Sequence, residues 1–258
     1  MGLKLQNMGC RVGGRWLLQD LQLEVAEDQL MLVVGANGAG KTTMLRSVLG
    51  LVPREGSVAW HGRDLAALRP RERAEYLAWL PQRPLLVEPV SVEEWVSMGR
   101  FRFTETRSAS LEAAHASLRE LDALGFAGRV VQTLSGGERQ RVALATLVAQ
   151  QARFWLLDEP ASALDPGMQE SVYRMLVERW RQGQGMVLVT HDLDLSLRVL
   201  EPSEHARVRV LGLADGRQAF ACTLADEGLP EHLSELYGVE VRWVDLGRRR
   251  GLAVVGAP

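Results

Sequence analysis

Hydrophobic and polar residues alternate through much of the first 28 positions, as in Leu21-Gln22-Leu23-Glu24-Val25. A period of two sends successive side chains to opposite faces, so this stretch predicts half-buried antiparallel strands. Leu30-Met31-Leu32-Val33-Val34 breaks the alternation. A continuous aliphatic, β-branched run suits a strand covered on both faces. The chain then turns through glycines, residues 43–49 read as a helix stopped by Gly50, and residues 56–62 read as a short strand between turns. From 91 to 127 strand-like runs disappear and charges recur at helical spacing. Ser91 and Glu94 are spaced as a capping box, and Trp95, Val96, Leu111, Leu118, Leu121 and Leu124 supply apolar stripes. Residues 84–150 are therefore expected to form a helical insertion. Apolar runs return at 154–157 and 185–190 with helical segments around them, the alternation of a three-layer α/β core. Past Pro202 the pattern weakens to short strands around Asp215-Gly216 and a short helix near 229–237.

Composition narrows the class without naming an activity. The chain has 258 residues, 47% hydrophobic and 24% charged, which excludes long disorder or a fibrous repeat and allows a core without disulfides or structural metal. A formal charge of −2 argues against a broad nucleic-acid surface. Cys10 and Cys222 form no CxxC unit, which fits a reducing compartment, and the five histidines show no metal-ligand spacing. No apolar run approaches the roughly 18 residues that cross a bilayer. The first residues lack the apolar stretch and small-residue cleavage site of a secretory leader. The expectation is a cytoplasmic protein, held at a membrane only through another component.

Three segments carry chemistry. Gly35-Ala36-Asn37-Gly38-Ala39-Gly40-Lys41-Thr42 satisfies GxxxxGK[ST], follows an apolar strand and opens a helix that continues through Thr43. Its glycines let the backbone fold into a nest of N–H groups for phosphate oxygens, and the helix N-terminus adds its dipole. Lys41 supplies a charge for β- and γ-phosphates and Thr42 a hydroxyl for Mg²⁺. Phe154-Trp155-Leu156-Leu157-Asp158-Glu159-Pro160 ends an apolar strand in two carboxylates. Asp158 is placed to hold Mg²⁺ through water, and Glu159 to polarise a water in line with the γ-phosphate. Leu134-Ser135-Gly136-Gly137-Glu138-Arg139-Gln140-Arg141 opens a second helix with Ser135, Gly136 and Gly137, a second anion-binding helix start on one chain.

On these three segments the chain resembles the ATP-binding-cassette (ABC) ATPases. The resemblance runs over residues 3–220 and implies a P-loop NTPase (RecA-like) α/β core with an N-terminal antiparallel β subdomain and an inserted α-helical subdomain. The implied division is 1–83 and 151–220 for the core, 84–150 for the helical subdomain with the signature segment, and 221–258 for a small α/β extension. It implies ATP and Mg²⁺ as ligands, and a head-to-tail homodimer in which Ser135, Gly136 and Gly137 complete the opposite protomer's site. By resemblance, Gln82 in Leu80-Pro81-Gln82 reaches Mg²⁺ and the attacking water. Asp165 in Ser162-Ala163-Leu164-Asp165 follows the catalytic acid across the dimer interface, and His191 in Thr190-His191-Asp192 is the switch histidine for the γ-phosphate.

The sequence departs from the family in places. Val12 stands where an aromatic residue commonly stacks on adenine, with Arg11 and Trp16 as alternative neighbours of the base, and Asp28 stands where a turn glycine is common. Leu77-Ala78-Trp79-Leu80-Pro81-Gln82, Val92-Glu93-Glu94-Trp95-Val96-Ser97-Met98-Gly99-Arg100 and Leu236-Tyr237-Gly238-Val239-Glu240-Val241 are similar to importers of iron chelates, haem and cobalamin. That implies a peripheral ATPase at the cytoplasmic face of a bacterial membrane. Transmembrane permease subunits would be contacted near 83–103, where 84–90 offers apolar residues, and a substrate-binding protein would act indirectly. The competing expectation is a soluble, non-transport ABC ATPase acting in protein assembly or nucleic-acid metabolism.

Overall fold

The structure, a computed structural model, describes residues 2–83, 89–162, 164–247 and 249–256. In chain order they form β1 (Gly2–Val12), β2 (Arg15–Ala26), β3 (Leu30–Val34), α1 (Lys41–Val48), β4 (Glu55–Trp60) and β5 (Arg63–Asp64). There follow α2 (Pro70–Tyr76), β6 (Leu77–Leu80), α3 (Val92–Met98), α4 (Arg107–Glu120), α5 (Gly136–Gln150) and β7 (Phe154–Asp158). The remainder holds α6 (Pro166–Arg181), β8 (Met186–Val189), α7 (Leu193–Val199), β9 (Arg209–Ala214) and β10 (Arg217–Thr223). It ends in α8 (Leu229–Tyr237), β11 (Glu240–Asp245) and β12 (Arg250–Gly256). The chain divides into two compact units, Met1–Ala67 with Glu170–Pro258, and Leu68–Gln169.

In the first unit β1 pairs antiparallel with both β2 and β4, in register at Leu5↔Leu23 and Leu3↔Trp60. The alternation of β2 becomes burial: Leu21, Leu23 and Val25 face inward while Gln22 and Glu24 face solvent. All five residues of β3 are buried, and the strand lies parallel to β8 on one side and β9 on the other. β9 and β10 form a hairpin whose turn, Asp215-Gly216, has φ of 48° and 73°. Two left-handed residues in succession match the twist of the strands they join. The segment after Thr223 contributes α8 and the antiparallel pair β11–β12.

In the second unit α3, α4 and α5 bury Val96, Ala114, Leu118 and Leu144. The Ser91–Glu94 capping box forms as expected, Ser91 Oγ accepting from the Glu94 N–H. Gly99 lets α3 approach α5: a Cβ there would lie 2.8 Å from the Thr146 carbonyl oxygen. The neighbouring Arg100 is buried because it is fully engaged, with Glu105 at 2.7 Å and the Ala149 carbonyl at 3.1 Å. β6 is a strand that the pattern did not announce. Four residues are too short for a periodicity to be read, and Leu77–Leu80 is extended because it pairs parallel with β7. Among the described residues no helix is long and apolar enough to cross a membrane.

Candidate functional site

The first unit builds a phosphate loop at the C-terminal end of β3. Gly35, Gly38 and Gly40 have φ of 153°, 85° and 100°. At Gly35 and Gly40 the conformation is enforced by crowding. A Cβ would stand 2.3 Å from the Leu213 carbonyl oxygen in the first case and 2.9 Å from the Leu17 carbonyl oxygen in the second. Gly40 is the N-cap of α1 and provides no side-chain cap. The start of α1 thus carries no side-chain cap of its own, and a helix N-terminus with its dipole is a place suited to an anion. The Lys41 side chain is buried and folded back over the loop, Nζ donating to the carbonyls of Gly35 (2.6 Å) and Ala36 (3.1 Å). The Ala39 carbonyl accepts from the Gly216 N–H at 3.2 Å, so the β9–β10 turn props the loop that carries Asn37 and Gly38.

His191 follows β8 directly. Because β3 and β8 run parallel in register at Val33↔Val189, the phosphate loop and the His191 turn leave the same end of neighbouring strands. Buried Thr190 shapes that turn. Its N–H donates to the Val33 carbonyl, and its hydroxyl bonds Tyr173 at 2.7 Å and accepts from the Asp192 N–H at 3.0 Å. Asp192 then caps α7 by accepting the Leu195 N–H at 2.8 Å, which leaves His191 exposed at the tip. At the other edge of this unit Val12 is 52% exposed, and the Arg11 guanidinium lies 5.5 Å from the Trp16 ring centroid. Trp16 is thus an exposed aromatic surface already engaged by a cation.

The second unit brings Gln82 and Glu159 together. β6 and β7 are parallel with Leu80 opposite Leu157, and each of the two residues lies two positions further on. Gln82 Nε2 donates to Glu159 Oε2 at 2.6 Å. Glu159 has a φ of 49°, a left-handed conformation unusual for a residue with a side chain and common at functional turns. Asp158, one residue earlier, is 2% exposed at the end of β7. Ser162 closes the turn by donating from N–H and Oγ to the Glu159 carbonyl. Ala163 lies outside the described residues. Asp165 is exposed and caps α6, Oδ1 accepting the Met168 N–H at 3.1 Å.

The signature segment begins α5 with a capping box. Ser135 Oγ accepts from the Glu138 N–H, and Glu138 accepts the Ser135 N–H at 2.7 Å. Arg129 clamps Glu138 at 2.6 Å, and these bonds, Arg129 first, hold its carboxyl down at about 2. Gly136 would meet nothing within 4 Å if it carried a Cβ, and Gly137 only Leu164 at 3.6 Å. The space beside these two α-carbons is open.

Each unit offers oxygen donors of the kind that a hard divalent cation takes. In the first unit Thr42 has a hydroxyl; in the second Asp158 has a carboxylate, and Gln82, which donates through its nitrogen, keeps its amide oxygen. Among the described residues there is no cluster of three or more His, Cys, Asp or Glu able to cage a metal.

Residues 18–162, more than half of the chain, match the family model described as ABC transporter. The chain belongs to the ABC transporter family. It is 40% identical over 252 residues to the hemin import ATP-binding protein HmuV of Streptomyces coelicolor, covering 96% of this chain and 88% of that protein. It is 36% identical over 245 residues to the protein of the same name from Pseudomonas aeruginosa, covering 93% of each. Among solved structures it resembles the dimeric post-hydrolysis state of an ATP-binding cassette bound to ADP and Pi, with a TM-score of 0.76 at 25% identity, over 86% of this chain and 98% of that one. The ATP-binding subunit of another ABC transporter gives a TM-score of 0.78 at 23% identity, over 92% and 99%, a likeness of fold.

Two residues of this ABC cassette escaped the reading of the sequence as site residues. Gln140, 6% exposed on α5, donates from Nε2 to the Pro160 carbonyl and so ties the signature helix to the turn that carries Glu159. Its signal was present in the signature segment itself, where a polar residue faces inward from an otherwise apolar helix side. Tyr237 accepts the Gly35 N–H at 3.2 Å across 202 residues of chain, and no local pattern encodes that contact.

Proposed function

We propose that this chain is the ATP-hydrolysing subunit of a bacterial importer whose cargo is haem or a related iron chelate or cobalamin. In this reading 1–83 and 151–220 form the nucleotide-binding core, 84–150 the helical subdomain and 221–258 an extension. The observation that carries the catalytic part is the 2.6 Å bond between Gln82 and Glu159 beyond paired strand ends, since it holds a general base and a water-orienting amide together. Relatives named as hemin import ATP-binding proteins, matched over nearly the full chain, support the transport part.

The loop amides of 38–43 and Lys41 hold the nucleotide phosphates, as a helix start without its own cap is suited to do. Mg²⁺, when bound with the nucleotide, neutralises charge on the β- and γ-phosphates, and Thr42, Asp158 and Gln82 are the residues that would hold it. Glu159 accepts a proton from the attacking water while Gln82 orients it. His191, at the tip of its turn, donates to the γ-phosphate. The open first turn at Ser135, Gly136 and Gly137 of one protomer covers the γ-phosphate bound to the other, and Asp165 lies at that same interface. Closure of this head-to-tail dimer on two ATP molecules, and its reopening after hydrolysis, is the motion passed to the membrane subunits. Exposed Met98 (51%) and Phe101 (48%) give the 83–103 region an apolar surface for a permease. The apolar segment at 84–88 lies outside the described residues.

Glu159→Gln tests the reading. ATP turnover is expected to fall at least about hundredfold while ATP binding persists and the variant becomes dimeric on gel filtration with ATP. Turnover equal to the unsubstituted chain would remove Glu159 as the base. Co-purification with a polytopic permease, and haem uptake by the reconstituted complex, test the transport assignment. A stable complex with a soluble assembly factor or nucleic acid in its place would favour the non-transport alternative.

A further inference from the structure

The Leu236-Tyr237-Gly238 motif has no place in the catalytic scheme, and yet its tyrosine reaches the phosphate loop. Thr190 N–H donates to the Val33 carbonyl, the last bond of the β3–β8 ladder. Two residues further on, just past the end of β3, the Gly35 N–H donates to Tyr237 Oη at 3.2 Å. The hydroxyl thus takes over where the two strands part toward the phosphate loop and the His191 turn. Burial pushes the Tyr237 phenol up, so the group stays protonated and accepts through a lone pair.

The aim of that hydroxyl is built in by several independent ties. Leu229 and Leu233 bury one face of α8, and His232 stacks on Phe220 of β10 with ring centroids 4.9 Å apart. Gly238, with φ of 65°, ends the helix immediately after Tyr237. Ser234 Oγ accepts the Val241 N–H at 2.9 Å and so fastens β11 to the helix. The same terminal segment grips the element after the switch turn, because Arg249 donates to Asp194 of α7 at 3.3 Å. A cavity of about 240 Å³ between these parts is lined by His191, Asp192, Leu233, Tyr237 and Leu252. One small module therefore touches both the phosphate loop and the helix that carries the switch turn.

We propose that Tyr237 is a positioning residue for nucleotide binding: by accepting the Gly35 N–H it holds the first peptide of the phosphate loop in the shape that receives the phosphates. The inference rests on the ATPase reading above. Without the hydroxyl, a part-buried donor at the root of the loop loses its acceptor, and the loop's phosphate-binding shape becomes one of several. ATP and ADP suffer alike, since both place phosphates in this loop. The rate of hydrolysis at saturating ATP does not change.

The test is Tyr237→Phe, which keeps the ring and removes one oxygen. Binding of ATP and of ADP is expected to weaken about three- to tenfold. KM for ATP should rise by the same factor with kcat within about twofold, and hydrogen exchange at the Gly35 amide should quicken. Unchanged nucleotide affinity overturns the inference. So does a fall in kcat at constant KM, which signals a smaller folded fraction and a merely structural tyrosine. An unsubstituted chain that binds no ATP would instead overturn the ATPase reading itself. Binding by the unsubstituted chain, matched by the variant, overturns only the role of Tyr237.

Discussion

Gly35 shows how tightly single positions are specified here. Its φ of 153° and the 2.3 Å approach of the Leu213 carbonyl to a would-be Cβ leave no room for a methyl group. Gly35→Ala is therefore expected to weaken ATP binding about tenfold or more and to lower the melting temperature, because either β9 or the loop must move. Affinity within twofold of the unsubstituted chain would contradict the crowding argument. Lys41 tests a different physics at the same loop. Its ammonium sits over the Gly35 and Ala36 carbonyls, so Lys41→Ala removes the charge that the proposed nucleotide site offers to phosphates. Nucleotide affinity is expected to drop ~10–100-fold in equilibrium titration, the range for a charge-assisted hydrogen bond. These two residues were legible in the sequence because a phosphate nest needs glycine and a cation at set spacing. Tyr237 was not, since its contact depends on how α8 is packed.

At the scale of elements, α5 is the informative case. Its start is fastened by Ser135, Glu138 and Arg129, and the Glu138 carboxyl titrates near 2 in place of the usual 4.5. A group whose folded pKa is depressed stabilises the fold above its unfolded pKa and loses that contribution as pH falls through the folded value. The start of α5 should therefore loosen between about pH 4.5 and pH 2, read as faster amide exchange at 136–140, and Glu138→Gln should flatten that dependence. Persistence of the profile in Glu138→Gln would point to another group. Ser135→Ala is expected to cost ~1 kcal/mol of stability as a lost cap. Ser135→Arg adds bulk at the open face and should abolish ATP-dependent dimer formation while nucleotide binding by the monomer survives. The α5 cap was readable from Ser135 and Glu138 alone. β6 was not, because a four-residue strand is defined by its neighbour β7, and the Gln82–Glu159 bond follows from that pairing.

For the molecule as a whole, the proposed transport role needs a surface that meets a membrane partner. Met98 and Phe101 expose apolar surface at the end of α3 and just beyond it. Phe101→Asp is expected to leave the ATPase rate of the isolated chain within about twofold while reducing co-purification with the permease and cargo uptake. Equal uptake would place the membrane contact elsewhere. The chemistry-bearing segments, the longer strands and helices, and the resemblance to the family were legible in the sequence alone. Each depends on residue type at fixed spacing: glycines where φ must be positive, apolar runs where both faces are covered, carboxylates at strand ends. Only the tertiary structure decided which distant groups meet. The register of β6 on β7 joins Gln82 to Glu159, Gln140 reaches Pro160, and α8 delivers a hydroxyl to Gly35. Those contacts are set by packing between segments far apart in the chain, and packing leaves no period or motif for a linear reading to find.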